Sequence, residues 1–293
     1  MLDAGTTTVL PVRDYDLSAT LGCGQAFRWT QRDDAWEGVI GRRWVRLRCV
    51  ERGIEANTAH TASDWQWLTD YLQTDLDLRS VLLTFPDDEP MRAAVAHCRG
   101  LRLLRQDPWE CLASFILSST KQIVQIQQII ALLCERFGEP LSTPPGAILI
   151  RAFPTAGRLA SATEAELRAC KMGFRAPSLL AAARRIASRE LDLESLRHLN
   201  VNAAREALVS LRGVGDKIAN CALLFAYGFQ QAFPIDVWVM KALRQLYFPK
   251  RRPTPQRLLK FTRTYFGPNA GYAQQYLFHY MRTRNQRNLD EQR

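Results

Sequence analysis

No two of the seven cysteines stand in a Cys-x-x-Cys pair; they are scattered at Cys23, Cys49, Cys98, Cys111, Cys134, Cys170 and Cys221. That dispersion speaks against a zinc site or an iron–sulfur cluster, so no metal and no other cofactor is expected. An odd, unpaired set of thiols suits a reducing compartment. No apolar run approaches the roughly 18–20 residues of a membrane span. Met1–Asp16 lack the basic-then-apolar order of a secretion signal. A soluble intracellular chain with no membrane partner is expected. There is no long internal repeat and no obvious flexible linker; Pro140–Pro145 is the best loop. Acidic residues are the minority, 29 against 39 Lys and Arg, which leaves a net charge of +10 and a pI of about 9.5. Such an excess favours an anionic partner, nucleic acid first and a membrane surface second.

With 47% hydrophobic residues in a chain of 293, a real core is available for one large or two ordinary domains. The first part reads as β. Ala26–Gln31, Trp36–Ile40, Trp44–Val50 and Ile54–Asn57 are short apolar or alternating runs between turn compositions. Val45, Leu47 and Cys49 alternate with Arg46 and Arg48, so one sheet face is expected to be wet. From Ser63 the pattern turns helical. Ser63-Asp64 reads as a cap for a helix carrying Trp67, Leu68, Tyr71 and Leu72. Further helices are expected at Trp109–Ser119, around Ile123–Leu133, and over 164–171, 177–188, 201–211, 216–227, 237–247, 254–266 and 270–281. The fold class is α+β: a small N-terminal antiparallel sheet domain with flanking helices, residues 1–100, packed on a large all-α domain, residues 101–293. A monomer is expected.

The most informative segment is Leu-Arg-Gly-Val-Gly-Asp-Lys at 211–217, followed at 233–237 by Phe-Pro-Ile-Asp-Val. Gly213 and Gly215 suit a tight turn between two helices, because glycine tolerates positive φ. A turn that ends at a helix start offers free N–H groups to a phosphate. Lys217 falls in the first turn of the second helix, where the dipole disfavours an ammonium. Asp236, after Pro234 and before a helix, reads as an N-cap whose N–H donors keep it ionised. The cap reading is compatible with a catalytic one. Together they are an amine nucleophile with an anionic helper. Each residue has a plainer reading alone: Lys217 as a solvated helix lysine, the hairpin as a non-catalytic clamp on the DNA backbone.

These residues, with others along the chain, resemble the 8-oxoguanine DNA glycosylases with lyase activity, members of the helix–hairpin–helix glycosylases. The matching segments are Cys23-Gly24-Gln25-Ala26-Phe27-Arg28-Trp29, Leu101–Pro108, Met172-Gly173-Phe174-Arg175-Ala176, and Gly267-Pro268 with Gly271–Gln274 and Leu277-Phe278. The resemblance implies that the substrate is double-stranded DNA containing oxidised guanine. It implies Lys217 as the nucleophile at the sugar C1′ and Asp236 as the stabiliser of charge developing on the sugar. Gly24 would offer its carbonyl to the N7 hydrogen that only the oxidised base has, and Gln274 would read the Watson–Crick edge. Phe278 and Cys221 would sandwich the base, and Gly213, Gly215, Thr120, Phe174, Arg175 and Trp238 would contact DNA.

The chain departs from the better-known members at several points. They carry Asn where it has Thr120, Arg where it has Gln125, Tyr where it has Phe174 and His where it has Trp238. The first two help recognise the cytosine left behind after flipping, and only Arg175 remains of three such groups. Relaxed opposite-base specificity is therefore expected. Trp238 has packing beside Asp236 as its plainer reading, Phe278 an ordinary place in the core. Competing functions are an alkylated-purine glycosylase of the 3-methyladenine type that leaves Lys217 idle, and a non-catalytic DNA-binding protein. Gly24 and Gln274 argue against the first, and Lys217 with Asp236 against the second.

Overall fold

The computed structural model describes residues 5–59, 62–119, 121–144, 149–250 and 253–290. Five antiparallel strands form one sheet in the order β1-β5-β4-β3-β2: β1 Thr6–Pro11, β2 Trp29–Arg32, β3 Ala35–Ile40, β4 Arg43–Val50 and β5 Gly53–Thr58. The last four lie where the sequence places them, within a few residues. Strand β1 was not legible, because its Thr-Thr-Thr start has no apolar alternation; it forms by pairing along β5. Val45 and Leu47 are fully buried but Cys49 is exposed, so the covered face ends before that residue.

Helices α1 (Leu17–Gly22) and α2 (Gln66–Leu72) complete the sheet unit. Leu10, Leu17, Trp29, Leu47, Ile54, Leu68 and Leu72 make its core. Helix α2 has Trp65 at its N-cap, and Asp64, not Ser63, accepts its first N–H, at 2.9 Å from Gln66 N. The larger core belongs to α3 (Leu78–Leu82), α4 (Glu89–His97), α5 (Pro108–Leu117), α6 (Ile123–Phe137), α7 (Ala156–Ala160), α8 (Glu164–Leu167), α9 (Ala176–Ala187), α10 (Val201–Val209), α11 (Asp216–Ala222), α12 (Val237–Ala242), α13 (Pro255–Tyr265) and α14 (Ala270–Asp290).

Three expected helices are interrupted. After α8 a wide turn runs to Met172, with Lys171 at φ +63 and Gly173 at φ +57. Helices α11 and α12 likewise run into π turns, Leu223–Tyr227 and Leu243–Tyr247. Helix α14 continues past the expected end at Met281. Among the described residues no helix is long and apolar enough to cross a membrane.

One buried side chain joins the two units. Gln25, fully buried, donates through Nε2 to Thr20 O and Arg102 O, both at 2.8 Å. Its Oε1 accepts from Leu104 N at 2.8 Å, and its carbonyl accepts from Gln106 Nε2 at 2.7 Å.

Candidate active site

Helix α11 starts from the glycine turn. Gly213 has φ +77, and a Cβ there would lie 2.4 Å from Ser178 Oγ on α9, so the turn and the helix behind it require glycine. Gly215 is different from the expectation: it is the extended N-cap of α11, with φ −102, and a Cβ would meet open space. Positive φ is needed at the first glycine only.

Lys217 is half-buried one residue into α11. Its Nζ donates to Ser118 Oγ at 2.9 Å, and that hydroxyl donates onward to Phe115 O at 2.8 Å. The ammonium nitrogen lies 5.1 Å from the Phe115 ring centroid. Phe115 is fixed edge-on to Phe27 and stacked on Phe225. Neither Ser118 nor Phe115 was singled out from sequence. A serine after an apolar helical run reads as a helix end, and only the contact with Lys217, far along the chain, reveals its place.

Asp236 caps α12, accepting from Val239 N at 2.8 Å. Burial raises its pKa; the Val239 N–H and the Lys217 charge oppose that shift without cancelling it. Burial is the largest influence on the carboxyl, while the N–H donors at the helix start and the Lys217 charge favour its ionised form, as the N-cap reading expects. Cys221 stands one turn beyond Lys217, buried, with its thiol pushed up to about 11 by burial; the Lys217 charge lowers it and the Asp236 charge raises it. The thiol is therefore neutral near pH 7, and Lys217, Cys221 and Asp236 lie within electrostatic reach of one another.

A second cluster lies around Gly24. Its φ is +84, and a Cβ would come 2.7 Å from Ile123 Cδ1 and 3.8 Å from Phe278 Cε1. The turn is held from α14: Arg282 Nη2 donates to Gly22 O at 2.8 Å and Gln275 Nε2 to Cys23 O at 3.5 Å. Gln274 is 3% exposed, yet its Oε1 is buried without a hydrogen-bond partner among the described residues. An orphaned buried acceptor costs about 1–3 kcal/mol, which a bound donor would recover. Gln274 and Phe278 are one turn apart on α14 and share a side of it.

The wide turn before α9 presents Phe174, 61% exposed, with the Arg175 guanidinium 4.6 Å from its ring centroid. Arg175 Nε is buried without a hydrogen-bond partner among the described residues, its pKa is lowered by burial, and Nη1 lies beside Gly213. Trp238 is half-buried on α12, with Lys241 Nζ 5.6 Å from its ring. Gln125 turns back to its own helix, where Oε1 accepts from Gln122 N at 3.0 Å. Thr120 lies outside the described residues, as do Pro145 of the expected loop and Arg251 and Arg252. Among the described residues no group of three or more His, Cys, Asp or Glu is placed to hold a metal ion.

Two family models divide the chain. The 8-oxoguanine DNA glycosylase N-terminal domain matches residues 8–112, and the HhH-GPD superfamily base excision DNA repair protein matches residues 113–268. A probable N-glycosylase/DNA lyase of Methanothermobacter thermautotrophicus is 29% identical over 93% of this chain and 95% of its own. The structure of MBOgg1 in complex with a low affinity DNA ligand is similar at 31% identity and a TM-score of 0.91, covering 97% of this chain and 98% of that one. The Clostridium acetobutylicum 8-oxoguanine glycosylase/lyase, in complex with double-stranded DNA containing cytosine opposite 8-oxoguanine, is similar at 30% identity and a TM-score of 0.88; 97% of this chain and 100% of that one are covered.

Proposed function

The chain belongs to the HhH-GPD superfamily of base excision DNA repair proteins, and from that premise we propose that it excises 8-oxoguanine from duplex DNA and then cleaves the strand. The observation that carries this reading is the Lys217 amine, seated on Ser118 within reach of a dehydrated Asp236. A base inside a duplex is out of reach, so the nucleotide is flipped into the cleft at a cost of roughly a few kcal/mol. The amine, in its uncharged form, attacks C1′. The C1′–N9 bond breaks and its electron pair leaves with the base. Loss of a proton from the nitrogen lets its lone pair open the C1′–O4′ bond, giving an iminium. That electron sink acidifies the C2′ proton, whose removal expels the 3′ phosphate.

Asp236 opposes the positive charge built on the sugar. A preorganised charge in a dry site typically contributes ~3–4 kcal/mol there. Gly24 offers its carbonyl to the N7 hydrogen of the oxidised base; a base without that hydrogen leaves the carbonyl unpaired, so a single backbone group discriminates. Gln274 Oε1 takes a donor on the Watson–Crick edge. Phe278 and the neutral Cys221 thiol bracket the ring. Arg175, beside the hairpin, reads the base left behind, and Phe174 wedges into the gap. Work on such a substrate places the protein with the nucleoid or nucleus.

The test is borohydride trapping on duplexes carrying 8-oxoguanine opposite each of the four bases. Wild-type protein is expected to form a covalent adduct with DNA. Lys217→Gln is expected to form none while still binding the lesion. Undiminished trapping by that variant would remove Lys217 from the mechanism.

A further inference from the structure

Charge is divided unevenly along this chain. Residues 1–236 hold 27 Lys and Arg and 27 Asp and Glu, and are neutral. Residues 237–289 hold eleven Lys and Arg and no acidic residue, so this stretch carries the whole excess of the molecule. The first part neutralises itself in contacts such as Arg48–Glu55, Arg168–Glu164 and Arg197–Glu194. In the last part, Arg244, Lys250, Arg257, Lys260 and Arg263 are all exposed. None of these five has a carboxylate oxygen within 4.0 Å among the described residues. Asp88 does approach α13, but its oxygens accept from Tyr265 Oη at 2.7 Å and Tyr247 Oη at 3.3 Å.

The positions of these charges are ordered. Arg257, Lys260 and Arg263 recur every third residue of α13, while Leu258 and Thr262 are buried on its other side. The helix neighbours the hairpin through α10. Arg205 donates to Asn220 Oδ1 on α11 at 3.0 Å. Its guanidinium is lowered first by burial and next by the Arg263 charge, with Asp216 of the hairpin opposing. Arg205 thus lies within electrostatic reach of both Arg263 on α13 and Asp216 at the start of α11.

We propose that the exposed face of α13, with Arg257, Lys260 and Arg263, grips the phosphodiester backbone of the duplex flanking the flipped nucleotide. The inference rests on the DNA-repair reading above and adds to it a second anchoring surface. Eleven residues of helix span about 16 Å, which faces roughly five base-pair steps of duplex. The contact reads no sequence; it holds the enzyme on DNA and sets register.

The test compares wild type with the triple variant Arg257→Gln/Lys260→Gln/Arg263→Gln in binding undamaged duplex across a salt series. Each neutralised phosphate contributes about 0.9 to the log–log slope, so the triple variant is expected to lose roughly 2–3 from its magnitude. Arg257→Lys/Arg263→Lys keeps the charge and is expected to keep the slope. Arg99→Gln, whose partner is Asp14 at 2.9 Å, serves as a control and is expected to change nothing. Single-turnover excision by the triple variant, with all substrate bound at low salt, is expected to match wild type. An unchanged slope in the triple variant overturns the proposal, and so does a loss seen on a heparin matrix but not on duplex DNA. Wild-type protein that binds duplex but releases no oxidised base would overturn the proposed function instead and leave the slope comparison standing.

Discussion

Dehydration raises the Asp236 carboxyl even though the Val239 N–H and the Lys217 charge both favour its ionised form. The residue is charged only above that raised pKa, so a role for its charge fixes the sign of the pH effect. Single-turnover excision is expected to fall on acidification through a pH above the ordinary aspartate value of about 3.9. Asp236→Asn should remove that limb and lower the neutral-pH rate by roughly 100- to 1000-fold. A profile that stays flat down to about pH 4 would leave Asp236 as a helix cap alone. Ser118 has a different part, since it only seats the amine. Ser118→Ala is expected to slow excision and adduct formation together by roughly fivefold, the worth of one hydrogen bond of about 1 kcal/mol. Ser118→Thr, which keeps the hydroxyl, should restore both. Equal rates in all three proteins would reduce the Lys217–Ser118 contact to a resting arrangement. Lys217 and Asp236 could be singled out in the sequence because each sits in a short motif with its own local chemistry. Ser118, Phe115, Gln275 and Arg282 could not, because their partners are distant in the chain and chosen by packing.

The elements show the same division between what spacing encodes and what packing decides. Strands β2–β5 and most helices beyond residue 100 follow hydrophobic period and turn composition, with most ends within a few residues of those expected, whereas α7 was not expected at all. The π turns after α11 and α12 leave no such mark, since apolar spacing runs on through Leu223–Tyr227 and Leu243–Tyr247. Strand β1 exists because β5 offers an edge, a fact about a neighbour and not about Thr6–Pro11. Helix α14 brings one further consequence. His279 on it is lowered to about 4, by burial first and then by the Arg282 and His97 charges. It is neutral at pH 7 in the folded chain, whereas the unfolded chain protonates it near pH 6.5. Its contribution is fully present above that value and is lost as pH falls toward 4, by up to ~3 kcal/mol. Urea midpoints at about pH 7 and pH 4.5 should show the loss, and His279→Gln should flatten it. A decline of the same size in the variant would assign the acid sensitivity to other groups.

At the scale of the molecule, the proposed reading of the partner strand would draw on several elements, among them the helix that carries Gln125 and the turn that carries Arg175. Gln125 is engaged with the start of its own helix, and Arg175 sits over Phe174 next to the hairpin. Contacts of this class are worth ~1–3 kcal/mol of discrimination each. Excision opposite cytosine is therefore expected to exceed excision opposite adenine only modestly in single-turnover assays at matched salt, and Arg175→Ala should abolish the difference. A preference of about a thousandfold or more, three such contacts' worth, would mean that other side chains supply the missing donors. The Gln25 network bears on the molecule in another way. Three of its four buried hydrogen bonds reach from the sheet unit to Arg102, Leu104 and Gln106, and the fourth holds Thr20 within the sheet unit. To part the two units is to strand several of those groups at once, at about 1–3 kcal/mol each. The network thus ties the loop that carries Gly24 to the segment by which the chain enters the helical unit.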